Sequence, residues 1–110
     1  MNLEEILKNQ IEQLGQIRYT RSFGWICVYT GKNLFAGYKN VDNNILVMWL
    51  ILSPDKFMQS LNDGFQKFNF GKTWAETEII GEEDLPRITP YIEDAFKHSK
   101  TRSEKVKFKK

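Results

Sequence analysis

The sequence predicts an α+β domain, an antiparallel meander sheet of five to six strands carrying three helices. The order is helix, three or four strands, helix, two strands, helix. Three observations predict it. Apolar residues recur at helical spacing in three separate segments, 3–14, 54–62 and 85–98. Between them stand short stretches with strand signals, period-two alternation or a continuous apolar run. Turn signals punctuate those stretches at Thr30-Gly31-Lys32-Asn33, Val41 to Asn44 and Gly71-Lys72.

Each element has its own justification. Asn2 is a capping residue with Glu5 in the capping-box position, and Leu3, Ile6, Leu7, Ile11 and Leu14 make one apolar stripe before Gly15 ends it. From Gln16, the residues Ile17, Tyr19, Arg21 and Phe23 alternate with Arg18, Thr20 and Ser22, as in a half-buried strand. Gly24 marks a bulge or turn, and Trp25 to Thr30 continues as strand. The segment Leu34 to Lys39 is its return partner. Ile45 to Leu52, "ILVMWLIL", has no alternation, which predicts a central strand covered on both faces.

Ser53 as cap, Pro54 as first residue and Asp55 on the positive end open a second helix, and Asn62-Asp63-Gly64 closes it. Phe57, Met58 and Leu61 are its expected inner face. Phe65, Phe68 and Phe70 lead to a short strand, and Trp74 to Ile80 is the last one. Two prolines in one helix are disfavoured. The final region therefore reads as a turn at Glu82 to Leu85 and a helix capped by Thr89 with Pro90 first. Leu85, Ile88, Ile92, Ala95 and Phe96 face inward.

A chain of 110 residues is large enough for one core without staples. A single cysteine excludes an internal disulfide and fits a reducing compartment. The first residues, "MNLEEILKN", lack a signal-peptide pattern, and the longest apolar run has eight residues against about twenty for a membrane span. A cytoplasmic location and no membrane partner are the expectation. Charge is uneven: residues 97–110 hold seven of the 16 basic and one of the 14 acidic residues, which leaves the body mildly acidic. Residues 1–98 are expected to form the domain and 99–110 a disordered basic tail. Lys100, Arg102, Lys105 and Lys107 are its candidate contacts to a polyanion.

The stretch Arg21 to Tyr29, "RSFGWICVY", raises a sharper possibility. Together with "LFAGYKNV" it resembles the two ring-bearing motifs of cold-shock domains, which stack bases. In that resemblance Arg18, Arg21 and Lys39 would meet phosphates. Gly37 stands where the second motif carries histidine, and the apolar strand and two later helices have no counterpart in a five-stranded barrel. Core packing of Phe23, Trp25, Phe35 and Tyr38 is therefore the favoured expectation.

Other chemistry is thin. "FGKT" (70–73) ends like a phosphate-binding loop, but Gln66 replaces the needed glycine and a strand follows. Cys27 sits between Ile26 and Val28 and reads as a small core hydrophobe. His98, the one histidine, has Asp94 a turn earlier, which suffices for a weak pair and not for a zinc site. Glu76 and Glu78 share a strand face and could do acid–base chemistry, although such pairs more often mark a solvent face. Glu82, Glu83 and Asp84 suit a helix N-terminus.

With that layout, residues 3–98 resemble three groups of small bacterial domains with a secretion-chaperone-like fold. These are the YdhG-like proteins, the N-terminal domain of TfoX-like proteins and the MmcQ/YjbR-like proteins. "FGWICVYTGKNLFAGY", "ILVMWLIL", "GKTWAETEI" and "EEDLPRITPYIEDAF" carry the resemblance, while Trp25 stands where the TfoX-like pattern has a second glycine. These groups have no agreed enzymatic activity and are linked variously to competence regulation, DNA-associated roles and metal handling. The resemblance implies a fold and no set of functional residues.

The expectation is a non-enzymatic binding or adaptor domain, monomer or homodimer, with no cofactor and no metal. It would hold a protein or small ligand on the sheet face or in a groove beside it, through Trp25, Tyr38, Trp74 and Arg21. Association with nucleic acid through the basic tail and exposed sheet aromatics is the alternative.

Overall fold

The computed structural model describes residues 2–42 and 44–102. Its elements are α1 (Leu3–Glu12), β1 (Arg18–Ser22), β2 (Trp25–Thr30), β3 (Asn33–Asp42), β4 (Ile45–Ile51), α2 (Pro54–Leu61), β5 (Gln66–Lys67), β6 (Trp74–Ile79) and, after a short 3-10 turn at Glu82–Asp84, α3 (Leu85–Thr101). This is the expected α+β order. The six strands form one antiparallel sheet in the order β1-β2-β3-β4-β6-β5, with β1 at one edge and the two-residue β5 at the other.

Local chemistry explains the connections. Glu5 N–H donates to Asn2 Oδ1 at 2.9 Å, the first half of the expected capping box. Phe23 (φ 53°) and Gly24 (φ 84°) both lie in the left-handed region, so β1 and β2 are joined by a two-residue hairpin of the type that matches strand twist. The next hairpin turns at Gly31 (φ 60°). It begins in plain register with Thr30 opposite Asn33 and Tyr29 opposite Leu34, and then slips by one, so that Val28 faces Ala36. Phe35 is the extra residue of a β-bulge. Phe35 and Ala36 both join the core beneath the helices, and every later residue of β3 is turned to the other face.

Strand β4 lies in the middle and is buried on both sides, as its unbroken apolar run predicts. Leu46, Met48, Leu50 and Leu52 meet the main core. That core also takes Leu3, Leu7 and Ile11 from α1, Phe57 from α2, and Leu85, Ile88, Tyr91, Ile92, Ala95 and Phe96 from α3. All three helices therefore cover one face. Trp49 and Ile51 point the opposite way, into a second cluster with Trp25, Cys27, Leu34, Phe68 and Trp74 that contains no helical residue. Trp49 stacks on Trp74 (4.8 Å between centroids) and Phe68 (5.8 Å) and takes the edge of Trp25 at 6.1 Å.

Four expectations need correction. Helix α3 starts at Leu85, not at Pro90, and Pro90 lies inside it. Pro86 occupies the first turn, where no N–H is needed, and Pro90 is solvent-exposed, so a single lost hydrogen bond does not break the helix. Met58 and Leu61 are exposed, and the short α2 buries Phe57 and Ser60 instead. Ser53 does not cap α2 with its hydroxyl. Its N–H and Oγ both donate to Asp94 on α3, at 2.9 Å each, which uses the carboxylate expected to pair with His98. Helix α3 also runs past the expected domain end, with Ser99 fully buried.

Gly37 gives the packing a sharp test. A Cβ there would lie 2.1 Å from Trp49 Cζ2, and the stacked Trp49 ring has nowhere to move. Gly37→Ala is expected to cost about 1–3 kcal/mol, the range for overpacked cores. Gly24→Ala meets nothing within 4 Å and strains only its φ of +84°, so it should cost about 1 kcal/mol. Thermal melts of both variants check this. A Gly37→Ala protein that melts with the wild type would contradict the packing described.

Candidate functional site

The bulge at Phe35 divides the residues expected to form one site. Without it, Trp25 would sit opposite Tyr38 on one face. With it, Ile26 pairs with Tyr38 instead. Trp25 and Trp74 belong to the helix-free face, at 9% and 5% exposure, and Tyr38 lies beneath the helices at 1%. Arg21 shares the Tyr38 side. As they stand, these three rings are not open for stacking, and the exposed rings are Phe23 (58%) and Phe70 (42%).

What the fold does bring together is Arg21 and Tyr38. They line a hollow of about 260 Å³ between α1 and the β1–β3 end of the sheet, with Glu4, Lys8, Tyr19, Thr20 and Ile26. Residues Glu4, Lys8 and Glu12 come from α1 at four-residue spacing, so one helical face supplies two carboxylates and one ammonium. Both carboxylates accept tyrosine hydroxyls: Tyr38 Oη donates to Glu4 Oε2 at 3.2 Å and Tyr19 Oη to Glu12 Oε2 at 2.9 Å. The two cations are arranged differently. Lys8 Nζ lies 5.0 Å from the centre of the Tyr19 ring, and Arg21 is exposed. Among the described residues only Arg87 and Asp84 come within ion-pair distance, at 4.0 Å.

The strand beside this hollow is a sheet edge. The closing pair of the first hairpin, Ser22 and Trp25, directs its backbone groups at each other, and so does Thr20 toward Cys27. Tyr19 and Arg21 therefore point their N–H and C=O groups outward, away from β2. Edge groups of this kind pair readily with another chain.

The remaining candidates sit apart from the hollow. Burial pushes the Cys27 thiol up, which makes it a poor nucleophile. Glu76 is raised by burial against a partly offsetting Lys39, and the neighbouring Glu78 is exposed on the same helix-free face. His98 is held below its usual range by burial and by Arg102. Among the described residues no group of three or more His, Cys, Asp or Glu is placed to hold a metal. Arg102, expected in a free tail, is half-buried and its Nη2 donates to the carbonyl of Leu34. Lys100 Nζ lies 4.1 Å from the centre of the Phe96 ring. Lys105 and Lys107 lie outside the described residues. Among the described residues no helix is long and apolar enough to cross a membrane.

No family model and no curated protein matches this chain. A crystal structure of a protein from Pseudomonas syringae, solved as a structural genomics target, is similar with a TM-score of 0.64 at 14% sequence identity. The match covers 90% of this chain and 99% of that one. At that identity the likeness concerns the fold.

The tyrosine–glutamate pairs carry a pH signature. Burial first, and then the carboxylate beside each hydroxyl, push Tyr19 and Tyr38 well above the ordinary phenol range. A raised native pKa means that the folded chain keeps protons that the unfolded chain releases. The stability this contributes is complete below about pH 10, the unfolded value, and is lost as pH rises beyond it. Absorbance titration should show three tyrosines ionising late, Tyr19, Tyr38 and also Tyr91, which burial and its hydrogen bond to Asp63 raise as well, and Tyr38→Phe should remove one of them. Ordinary titration of all four would contradict the hydrogen bonds described.

Proposed function

We propose that this domain is a binding module, not a catalyst, and that it holds an extended acidic segment of a partner protein along β1. One observation carries this reading: among the described residues β1 is an unpaired sheet edge, and it runs beside a hollow whose one carboxylate, Glu4, accepts the Tyr38 hydroxyl while the Arg21 side chain stands exposed. A peptide added as a seventh strand would use the outward N–H and C=O groups of Tyr19 and Arg21, while alternate side chains enter the hollow. Glu4, the one carboxylate lining the hollow, is engaged by Tyr38, so Lys8 and Arg21 set the sign of what fits. The same charges, with Arg18, oppose pairing of β1 with basic strands. The raised hydroxyls of Tyr19 and Tyr38 and the buried Cys27 suit recognition better than bond-making chemistry. Likeness to the YdhG-, TfoX- and MmcQ/YjbR-like domains is in keeping with this reading.

The test is a titration of isotope-labelled protein with a heptapeptide of alternating Glu and Val, followed by amide NMR. Amide signals of Tyr19 and Arg21 are expected to move and to become protected from exchange. Arg21→Ala keeps the edge N–H and should weaken binding about two- to fivefold, the scale of one exposed charge. Arg21→Pro removes that N–H and should abolish binding. No shift at β1, or full binding by Arg21→Pro, would sink the proposal. Slow tumbling that grows with protein concentration alone would assign the edge to a second copy of the chain instead.

A further inference from the structure

Charge is sorted along the chain, and the fold gathers part of it at one end of the sheet. No acidic residue stands from Gln13 to Val41 or from Ala95 to Arg102. The two stretches meet at the β2–β3 hairpin turn. Arg18, at the start of β1, donates from Nη2 to the Gly31 carbonyl at 3.2 Å and lies over the Tyr29 ring, 4.3 Å from its centre. Arg102, just after α3, donates from Nη2 to the carbonyl of Leu34, which pairs with that same Tyr29. Lys32 is exposed at the tip of the turn. Lys100 Nζ covers the Phe96 ring at 4.1 Å, and Gly15 lies against that ring, where a Cβ would be 3.0 Å from Phe96 Cζ. Three segments thus bring Arg18, Lys32, Lys100 and Arg102 to one pole. Beside Arg18 opens a hollow of about 390 Å³ lined by Gln16, Ile17 and Gly31.

The pole is not neutralised. Among the described residues none of its four cations is within ion-pair distance of a carboxylate. The acids that flank the two stretches are engaged, Glu12 by the Tyr19 hydroxyl and Asp94 by Ser53. Arg102 shows the sharpest imbalance, because its Nε and Nη1 are buried without a partner among the described residues. A guanidinium keeps its charge, and a buried charge is screened less than one in water. The rings at the pole are covered by the chain's own cations, Tyr29 by Arg18 and Phe96 by Lys100. The large exposed apolar side chains, Phe23, Val41, Met58, Leu61, Phe70 and Ile80, stand on other segments. A protein interface centres on an apolar or aromatic anchor and a membrane surface takes an apolar insertion, whereas a phosphate backbone needs cations alone. We infer that this pole receives the phosphate backbone of a nucleic acid without regard to base sequence, with Arg18, Lys32 and Lys100 on the phosphates and Arg102 strengthening the field behind them. The folded domain then carries the contact, not the tail alone. Arg18 also borders the β1 edge, but no added strand is required.

The test reads the anisotropy of a fluorescein-labelled DNA duplex of about 16 base pairs, and of its single strand, with full-length protein at about 50 and about 200 mM salt. Wild type is expected to bind both, the duplex more tightly because its charge is denser, and two unrelated sequences equally. Arg18→Gln, Lys32→Gln and Lys100→Gln combined should weaken binding about 10- to 100-fold at the lower salt and flatten the salt slope by about two to three. Lys56→Gln, Lys67→Gln and Lys72→Gln combined remove the same charge elsewhere and should leave the slope unchanged. Arg102→Lys should bind as wild type does and Arg102→Gln less tightly; if Arg102→Gln fails to fold, the combined surface variant decides. The inference is overturned if wild type does not bind at about 50 mM salt, if the pole variant keeps the wild-type slope, or if the control variant loses as much. Loss of all binding in Lys105→Gln with Lys107→Gln would assign the contact to the tail and overturn it too. Displacement of the duplex by decaglutamate at equal charge would give the pole to acidic proteins instead.

Discussion

Trp49 lies over the backbone of Gly37 at a separation that leaves no room for a methyl group, and the second face of the sheet is built outward from that contact. A six-stranded sheet with helices on one side only would leave a broad apolar surface in water. Here the surface is closed without a second helical layer. Trp49 supplies the centre, Trp25 and Trp74 flank it from β2 and β6, and Phe68 caps it from the loop after β5. Glycine at position 37 allows this, because the indole needs the space above the strand. A residue with a side chain there would lift the ring, and with it the loop that rests on the ring.

That arrangement explains why the molecule has two unequal sides. On the helical side, long-range hydrogen bonds tie α3 to α1, where the Thr89 hydroxyl donates to Gln10 Oε1, and to both ends of α2. Asp94 holds Ser53 at the start of α2, Asp63 takes the Tyr91 hydroxyl, and Arg87 Nη1 donates to the Asp63 carbonyl. On the other side, one loop and a few aromatic rings suffice. Exposed and polar chemistry therefore gathers at the margins: the β1 edge with its tyrosine–carboxylate pairs, and the segment from Lys67 to Lys72 with a lysine at each end.

Much of the architecture was legible in the chain. The unbroken apolar run of β4 announced a strand covered twice, Asn2 and Glu5 announced the first cap, and Gly31 announced a hairpin. The candidate site was legible only in pieces. Reading the second hairpin in plain register puts Trp25 opposite Tyr38, and nothing in the local residues signals the bulge at Phe35 that separates them. The bulge follows from tertiary demand, because Phe35 and Ala36 both pack beneath the helices. Likewise, Pro90 looked like a helix start because propensity rules weigh the lost N–H. They do not weigh the buried stripe from Leu85 to Ser99 that keeps the helix continuous across it.

The fully buried thiol of Cys27 sits within the thinner of the two layers, among Trp25, Leu34 and Trp49. Proteins open in parts, and the layer with fewer long-range ties opens first. A lone sulfur placed there acts as an internal clock. The rate at which it becomes available to a thiol reagent times the parting of the aromatic layer, separately from the melting of the helices behind the sheet.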